Sequence, residues 1–480
     1  MRAPSFPRQR PRLSTLRCAG LALSACSVVA SCKAPPPRPS EVDPTATAPA
    51  LTLPPATEVD AAPPVIAARC KAGGAELAVG TDEGDLDIGE AAATRDGFAV
   101  GVIHKTKDGM IGGLALVSRD VSHLKLVDLA PPNGDALPPR PFVRGVDLFA
   151  AFYDRPEGKK DSQRGTRVLH VYAIGADGKA TVAAAVAQEN DESLAFDVAF
   201  GERGGLVAWD EDAIGLKNGD IKVATLDGDR GAPLTVGATR IGSPIGTDAE
   251  LPRVVARHGG YWLVWVASKP EESPDARADP NLLEGPGEVP SFHWLEVIAL
   301  DDRGAPVGTT KKLTPATGHV AAFDLAPRAG GDVLDVIARD DDEAKDGSGG
   351  RILRITVRSP VAADPPLALV SEAVGRGTPD LILAADKATS WLEFTDTSDR
   401  VRLVPLDEAR APLGPPSVED ALDGARPLFY SGYGGAPAAP GAAGATGATG
   451  AAGAAGATGA MLTAYPEDPK AQLRSLVCTP

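Results

Sequence analysis

Along residues 251–314 the chain alternates between apolar runs and sharp polar bends. Residues 253–257 and 261–268 flank the pair Gly259-Gly260, and residues 293–300 and 305–313 flank the bend LDDRG. β-rich runs joined by glycine or aspartate at the bend predict two hairpins. The second run, Tyr261-Trp262-Leu263-Val264-Trp265-Val266, is apolar at every position and not at alternate ones. A strand of that kind is covered on both faces of its sheet.

The same unit recurs. First-hairpin bends fall at Asp96-Gly97, Arg144-Gly145, Gly204-Gly205, Gly259-Gly260, Gly330-Gly331, Asp386-Lys387 and Gly434-Gly435. The strands FAVGVIH, LFAAFYD, LVAWDE, YWLVWVAS, VLDVIARD and WLEFTD follow the first six. A second series keeps the same pitch: IGGLALV, RVLHVYAI, IKVATL, HWLEVIAL, RILRITV and RLVPL. Leu300-Asp301 through Gly308 and Leu406-Asp407 through Gly414 are one turn written twice, two periods apart. With 53 glycines and 44 prolines spread along the chain, no stretch is left for a long helix.

A period of roughly 50–57 residues carrying four short strands resembles one blade of a β-propeller. The fold predicted is all-β: a seven-bladed β-propeller of four-stranded blades over residues 73–478, with a pair of β-sandwiches as the alternative. No signature residue of a named propeller family is present, so the resemblance is one of architecture. The seventh repeat has only three strands, 426–430, 461–465 and 472–478, while 76–80 is a spare strand before the first repeat. Pairing the spare strand antiparallel beside the last one closes the ring and removes a free edge. It also brings Cys70 next to Cys478, and an oxidising compartment would keep a disulfide between them.

That compartment is indicated by the N-terminus. Five arginines precede a short apolar run, too brief to span a membrane, that ends in Val29-Ala30-Ser31-Cys32. The segment resembles a bacterial lipoprotein signal, which implies cleavage after residue 31 and acylation of Cys32. Leu23-Ser24-Ala25-Cys26 is a rival match, so Cys26 stays as the alternative lipidation site. Lys33 lacks the aspartate that retains such lipoproteins at the inner membrane, which implies the outer membrane. Residues 32–72 hold the anchor and a Pro/Ala/Thr-rich tether that reaches on the order of 100 Å when extended.

Two insertions interrupt the repeats. Residues 269–292 are acidic and proline-rich, and charged loops occupy the same place in other repeats. Loops at that end of the disc are the expected binding face. Residues 436–460 carry glycine at every third position from Gly441 to Gly459, but proline stops at Pro440, so a Gly/Ala loop is expected and not a collagen helix.

Charge and chemistry narrow the function. The formal charge of -16 becomes more negative once the leader arginines are removed, which argues against nucleic acid. The six histidines are scattered, and no phosphate-cradling loop, nucleophile elbow or Cys-x-x-Cys is present. His170 and His293 fall in third strands as packing or rim residues. Asp340, Asp341 and Asp342 with Asp346 offer carboxylates for Ca²⁺, without EF-hand spacing; no other cofactor or metal is indicated.

Two functions remain open. One is a non-catalytic, monomeric envelope lipoprotein that binds a protein or glycan partner through its loop face and touches the membrane only through its lipid. The other is a polysaccharide hydrolase or lyase with carboxylates converging on the central channel. Carboxylates about 5–10 Å apart at the channel mouth favour the enzyme, and apolar residues there favour the binder.

Overall fold

The fold is given by a computed structural model. It describes residues 69–79, 86–132, 136–154, 168–187, 195–212, 219–228, 234–237, 240–242, 248–270, 291–328, 331–341, 350–358, 362–375, 380–383, 390–398, 400–407, 409–416, 426–432, 459–467 and 470–479. Cys26, Cys32, the tether up to residue 68, and most of both insertions lie outside the described residues.

The described strands pair into antiparallel sheets that follow one another along the chain. The first sheet holds β2 (Leu86–Ala93), β3 (Gly97–Thr106), β4 (Gly109–Ser118) and β5 (Leu124–Ala130). The second holds β6 (Arg140–Arg144), β7 (Asp147–Tyr153), β8 (Val168–Ile174) and β9 (Ala180–Ala187). In the third, β10 (Phe196–Phe200) and β11 (Gly205–Asp212) precede β12 (Gly219–Asp227), on which β13 (Thr235–Val236) and β14 (Arg240–Ile241) both pair. The fourth is β15 (Asp248–Arg257), β16 (Gly260–Pro270), β17 (Ser291–Asp301) and β18 (Pro306–Lys312).

The fifth sheet runs β19 (Val320–Pro327), β20 (Val333–Asp340) and β21 (Gly350–Arg358), with β22 (Ala362–Ala363) and β23 (Leu367–Val374) both on β21. The sixth is β24 (Asp380–Leu383), β25 (Ser390–Thr395) and β26 (Val401–Leu406). The last combines β27 (Arg426–Gly432), β28 (Gly459–Glu467) and β29 (Lys470–Thr479) with β1 (Arg69–Val79) from the other end of the domain.

The leading strands of these sheets touch in a cycle: β2 meets β6, β6 meets β10, and so on through β15, β19, β24 and β27 back to β2. A meander repeated around a closed ring of innermost strands is a β-propeller. Closure comes from β1, which lies antiparallel to β29 with Val79 opposite Ala471 and Cys70 opposite Cys478. The strand begins at Arg69, earlier than the spare strand expected at 76–80, and a register irregularity falls between Ala72 and Glu76.

The core explains the unbroken apolar runs. Tyr261 to Ala267 on β16 are all buried. Tyr261, Leu263 and Trp265 pack toward the third sheet, against Leu206, Ala208, Ile221 and Val223. Trp262, Val264 and Val266 join Val336, Ala338, Leu353 and Ile355 of the fifth. Successive side chains on a strand point to opposite faces, so a middle strand between two neighbouring sheets must be apolar at both parities. Each such large side chain contributes about 1.5–3 kcal/mol by burial.

The outermost strands depart from the expected four-stranded plan. The fourth position is split into two two-residue pieces in the third sheet and into the two-residue β22 and the eight-residue β23 in the fifth, and among the described residues the sixth sheet has only the isolated bridge Leu406–Pro412 there. Proline supplies the reason in the fifth and sixth sheets, because Pro365 and Pro366 between β22 and β23, and Pro412, Pro415 and Pro416 after β26, cannot donate to a ladder.

Candidate functional site at the channel mouth

Each innermost strand carries a charged residue in its first part or middle: Glu90, Arg140, Asp197, Arg253, Asp324, Asp380 and Arg426. Side chains are described for the first five. Arg140 donates to Glu90 Oε2 at 3.0 Å and to Asp197 Oδ1 at 3.1 Å. Arg253, from the fourth sheet, reaches Glu90 Oε1 of the first sheet at 3.0 Å. The backbone N–H groups of Val198 and Val254 donate to Asp197 at 2.6 and 2.8 Å. Strands from different sheets thus join in an ion-paired layer across the channel.

Exposure is uneven within this layer. The Asp197 side chain is 4% exposed, Arg140 and Arg253 are 23% and 24%, and Glu90 is 45%. Burial pushes the Asp197 carboxyl up, against the opposing pull of Arg140, Arg253 and the Val254 N–H. Arg253 is pulled down by burial, but Glu90, Asp197 and Asp324 outweigh this and hold it charged.

Cavities lie on both sides of the layer, and Arg140 and Arg253 line both. One, of about 330 Å³, is bounded by Val198, Phe200, Leu325 and Pro327 toward the strand ends. The other, of about 350 Å³, opens where the innermost strands begin, the end at which second strands finish and third strands start. Its wall is Ile88, Leu137, Phe196, Leu251, Ala322 and Phe323 above Glu90. Leu137 is 59% exposed and Leu251 46%.

Local backbone geometry puts these residues there. The pairing of β2 with β3 slips between Ile88 and Ala91, and that of β15 with β16 between Glu250 and Arg253. Such irregularities re-aim side chains at a rim. Leu251 sits at φ 54, a left-handed conformation that a leucine adopts at a cost, and its N–H donates to Asp210 Oδ2 at 3.1 Å. Phe196 is held edge-on by Tyr153, with ring centroids 5.2 Å apart.

The residues singled out from sequence lie elsewhere. Asp340 accepts the His319 N–H and pairs with Arg351 at 2.9 Å, while Asp341 pairs with Arg339 at 2.9 Å. Both carboxylates are paired with arginines; Asp342 and Asp346, the other two of the Ca²⁺ set, lie outside the described residues. Among the described residues no group of three or more His, Cys, Asp or Glu side chains gathers as metal ligands would. His170 stands in β8 as a third-strand residue, its Nδ1 2.6 Å from buried Asp154, which also accepts from the Tyr172 hydroxyl. His293 stands in β17 beside His319.

Sequence reasoning missed the charged layer. Its signal is a charge about five to nine residues before each first bend, visible only when the repeats are aligned, and other charges in β2, β6 and β15 mask it.

No family model matches the chain, and no curated protein sequence does. Among solved structures it is similar to a neuraminidase-like protein of A/little yellow-shouldered bat/Guatemala, at 11% identity and TM-score 0.40, covering 73% of this chain and 97% of that one. It is also similar to the β-propeller domain of the Trilobed protease from Pyrococcus furiosus, at 9% identity and TM-score 0.40, covering 80% and 97%. The catalytic domain of an α-L-arabinofuranosidase from Coprinopsis cinerea superposes at TM-score 0.29 with 9% identity, covering 58% and 89%. The strand pairing and the ring of first strands carry the fold assignment.

Proposed function

We propose that this chain is a non-catalytic, envelope-anchored β-propeller that binds a protein or glycan partner at the loop-bearing end of its disc. Each sheet is one blade, seven in all. Cys32 is the acylated N-terminus of the mature protein, with Cys26 as the alternative, and a Pro-rich tether holds a monomeric disc away from the outer membrane. Cys70 and Cys478 form a disulfide that seals the ring.

One observation supports binding over catalysis. The channel mouth presents apolar side chains, while the described carboxylates beneath it are engaged by arginines and backbone N–H groups. Both oxygens of Glu90 and both of Asp197 already accept hydrogen bonds, so neither carboxylate presents an unengaged oxygen to a substrate proton.

The hydrolase reading keeps one point in its favour. Glu90 and Asp197 share the Arg140 guanidinium, which brings carboxylates from two sheets to one cation, and a glycosidase also needs two carboxylates close together. Reducing-end release from a panel of envelope polysaccharides separates the readings. No release above background is expected from the wild type. Release that disappears in both Glu90→Gln and Asp197→Asn would establish the hydrolase instead.

A further inference from the structure

Glu90 has both carboxylate oxygens occupied by cavity-lining arginines: Oε2 by Arg140 and Oε1 by Arg253, each at 3.0 Å. Two guanidiniums from different sheets converging on one carboxylate make a carboxylate-recognition site. The residue filling it is the most exposed member of the layer, and it stands at an irregularity in β2 where side-chain aim is set by the bulge. Directly above are Ile88, Phe196, Leu251 and Phe323, an apolar wall that the Glu90 carboxylate does not use.

We propose that the mouth takes a ligand carboxylate carrying an apolar body, and that Glu90 occupies the carboxylate position when no ligand is bound. The exchange conserves charge, because one carboxylate leaves the arginines as another arrives. It releases Glu90 toward water that it already meets over nearly half its side chain, so its rehydration is favourable. Asp197 stays on Arg140 and on the Val254 N–H throughout, and keeps that arginine in place. The ligand's apolar body covers exposed Leu251 and Leu137. This inference rests on the mouth being the binding surface, and it names the chemistry recognised there.

Calorimetric titration of the full-length chain tests it, with 3-phenylpropionate and decanoate against 3-phenylpropanol. Two peptides extend the series, one ending in a free phenylalanine carboxylate and one in its amide. Binding by the acids and none by the alcohol is expected. Recognition of the free-ended peptide without phenylpropionate identifies a chain terminus as the source, and the reverse identifies a small molecule. Glu90→Gln removes the internal competitor and should tighten acid binding about tenfold or more, whereas Arg253→Gln should abolish it. Circular dichroism melts confirm that both variants fold, and the acid-against-alcohol comparison in the wild type stands without them. Equal binding of acid and alcohol, or unchanged affinity in folded Glu90→Gln, overturns the proposal. If a partner still cross-links at Leu251 in that case, the binding reading survives and only the carboxylate chemistry falls.

Discussion

Cys70 lies directly opposite Cys478 in the antiparallel register of β1 and β29. The two positions are far apart in sequence yet paired by the ring's closing strand. Opposed residues in such a ladder have Cα atoms about 4.5–5.5 Å apart, within the roughly 4.4–6.8 Å that a disulfide spans.

The first prediction follows from that pairing. Oxidation removes two protons and two electrons from the thiols, which a thiol oxidase of the proposed envelope compartment would accept. Loop-closure entropy for so long a loop amounts to about 6 kcal/mol as an upper figure, and measured disulfides typically give about 2–4 kcal/mol. Non-reducing peptide mapping should recover a Cys70–Cys478 linked pair, and Cys478→Ser should melt lower. Free thiols at both positions in protein purified from the envelope contradict it.

A second prediction concerns two copies of one turn. At Asp301 the carboxylate accepts the Arg303 and Ala305 N–H groups and the turn closes through Gly304 at φ +71. At Asp407 the same Ala411 bond forms, but the left-handed residue is Arg410 at φ 62, almost wholly buried. Its Nε lies 3.8 Å from Asp335, a fully buried carboxylate that Arg328 and Thr356 also contact. Arg410→Gly relieves the backbone but removes a cation from a buried acid, and the second effect is larger. The variant should melt lower than wild type by about 1–3 kcal/mol in stability. A higher melting temperature would show that the backbone term dominates.

Third, two neighbouring tryptophans should respond differently to losing their N–H. Trp262 Nε1 donates to the Gly331 carbonyl at 3.1 Å, whereas Trp265 Nε1 has no hydrogen-bond partner among the described residues. Trp262→Phe is expected to cost about 1 kcal/mol more than Trp265→Phe in denaturant unfolding. Equal costs would indicate an unseen partner for Trp265.

Acid sensitivity has a named source at Asp396. Burial raises its carboxyl, but N–H donors from Arg400, Arg402 and Ser398 outweigh this, and the net direction is down. A depressed folded-state value stabilises the fold above the ordinary aspartate value of about 3.9, and this is lost as pH falls through the folded value. Melting temperatures of wild type and Asp396→Asn should therefore converge as pH drops below about 4. A gap that is constant over that range contradicts the assignment.

Much of the architecture was legible because it depends on local signals. Glycine bends marked the hairpins, and the two-parity apolar runs marked strands buried on both faces, as Tyr261 to Ala267 show. The missing strand of the last sheet could be counted, which located β1 against β29. What escaped depends on contacts between distant sheets. Glu90 and Arg253 look like ordinary solvated charges in sequence, and only ring closure brings them within 3.0 Å. The arginine partners of Asp340 and Asp341 were not legible either, since Arg351 faces Asp340 across the ladder and Arg339 stands two residues before Asp341. The left-handed Leu251 carried no signal beyond the proline after it.

The claim that the channel mouth is the working surface is tested most directly by site-specific photo-cross-linking in the intact envelope. A photoreactive residue replaces Leu251, and a control replaces Val182, an exposed apolar residue on the outer strand β9. The account predicts a discrete adduct of one reproducible mass from position 251, none from position 182, and loss of the adduct when Leu137→Asp places a charge on the same wall. Equal labelling from both positions, or an adduct from 182 alone, would contradict it.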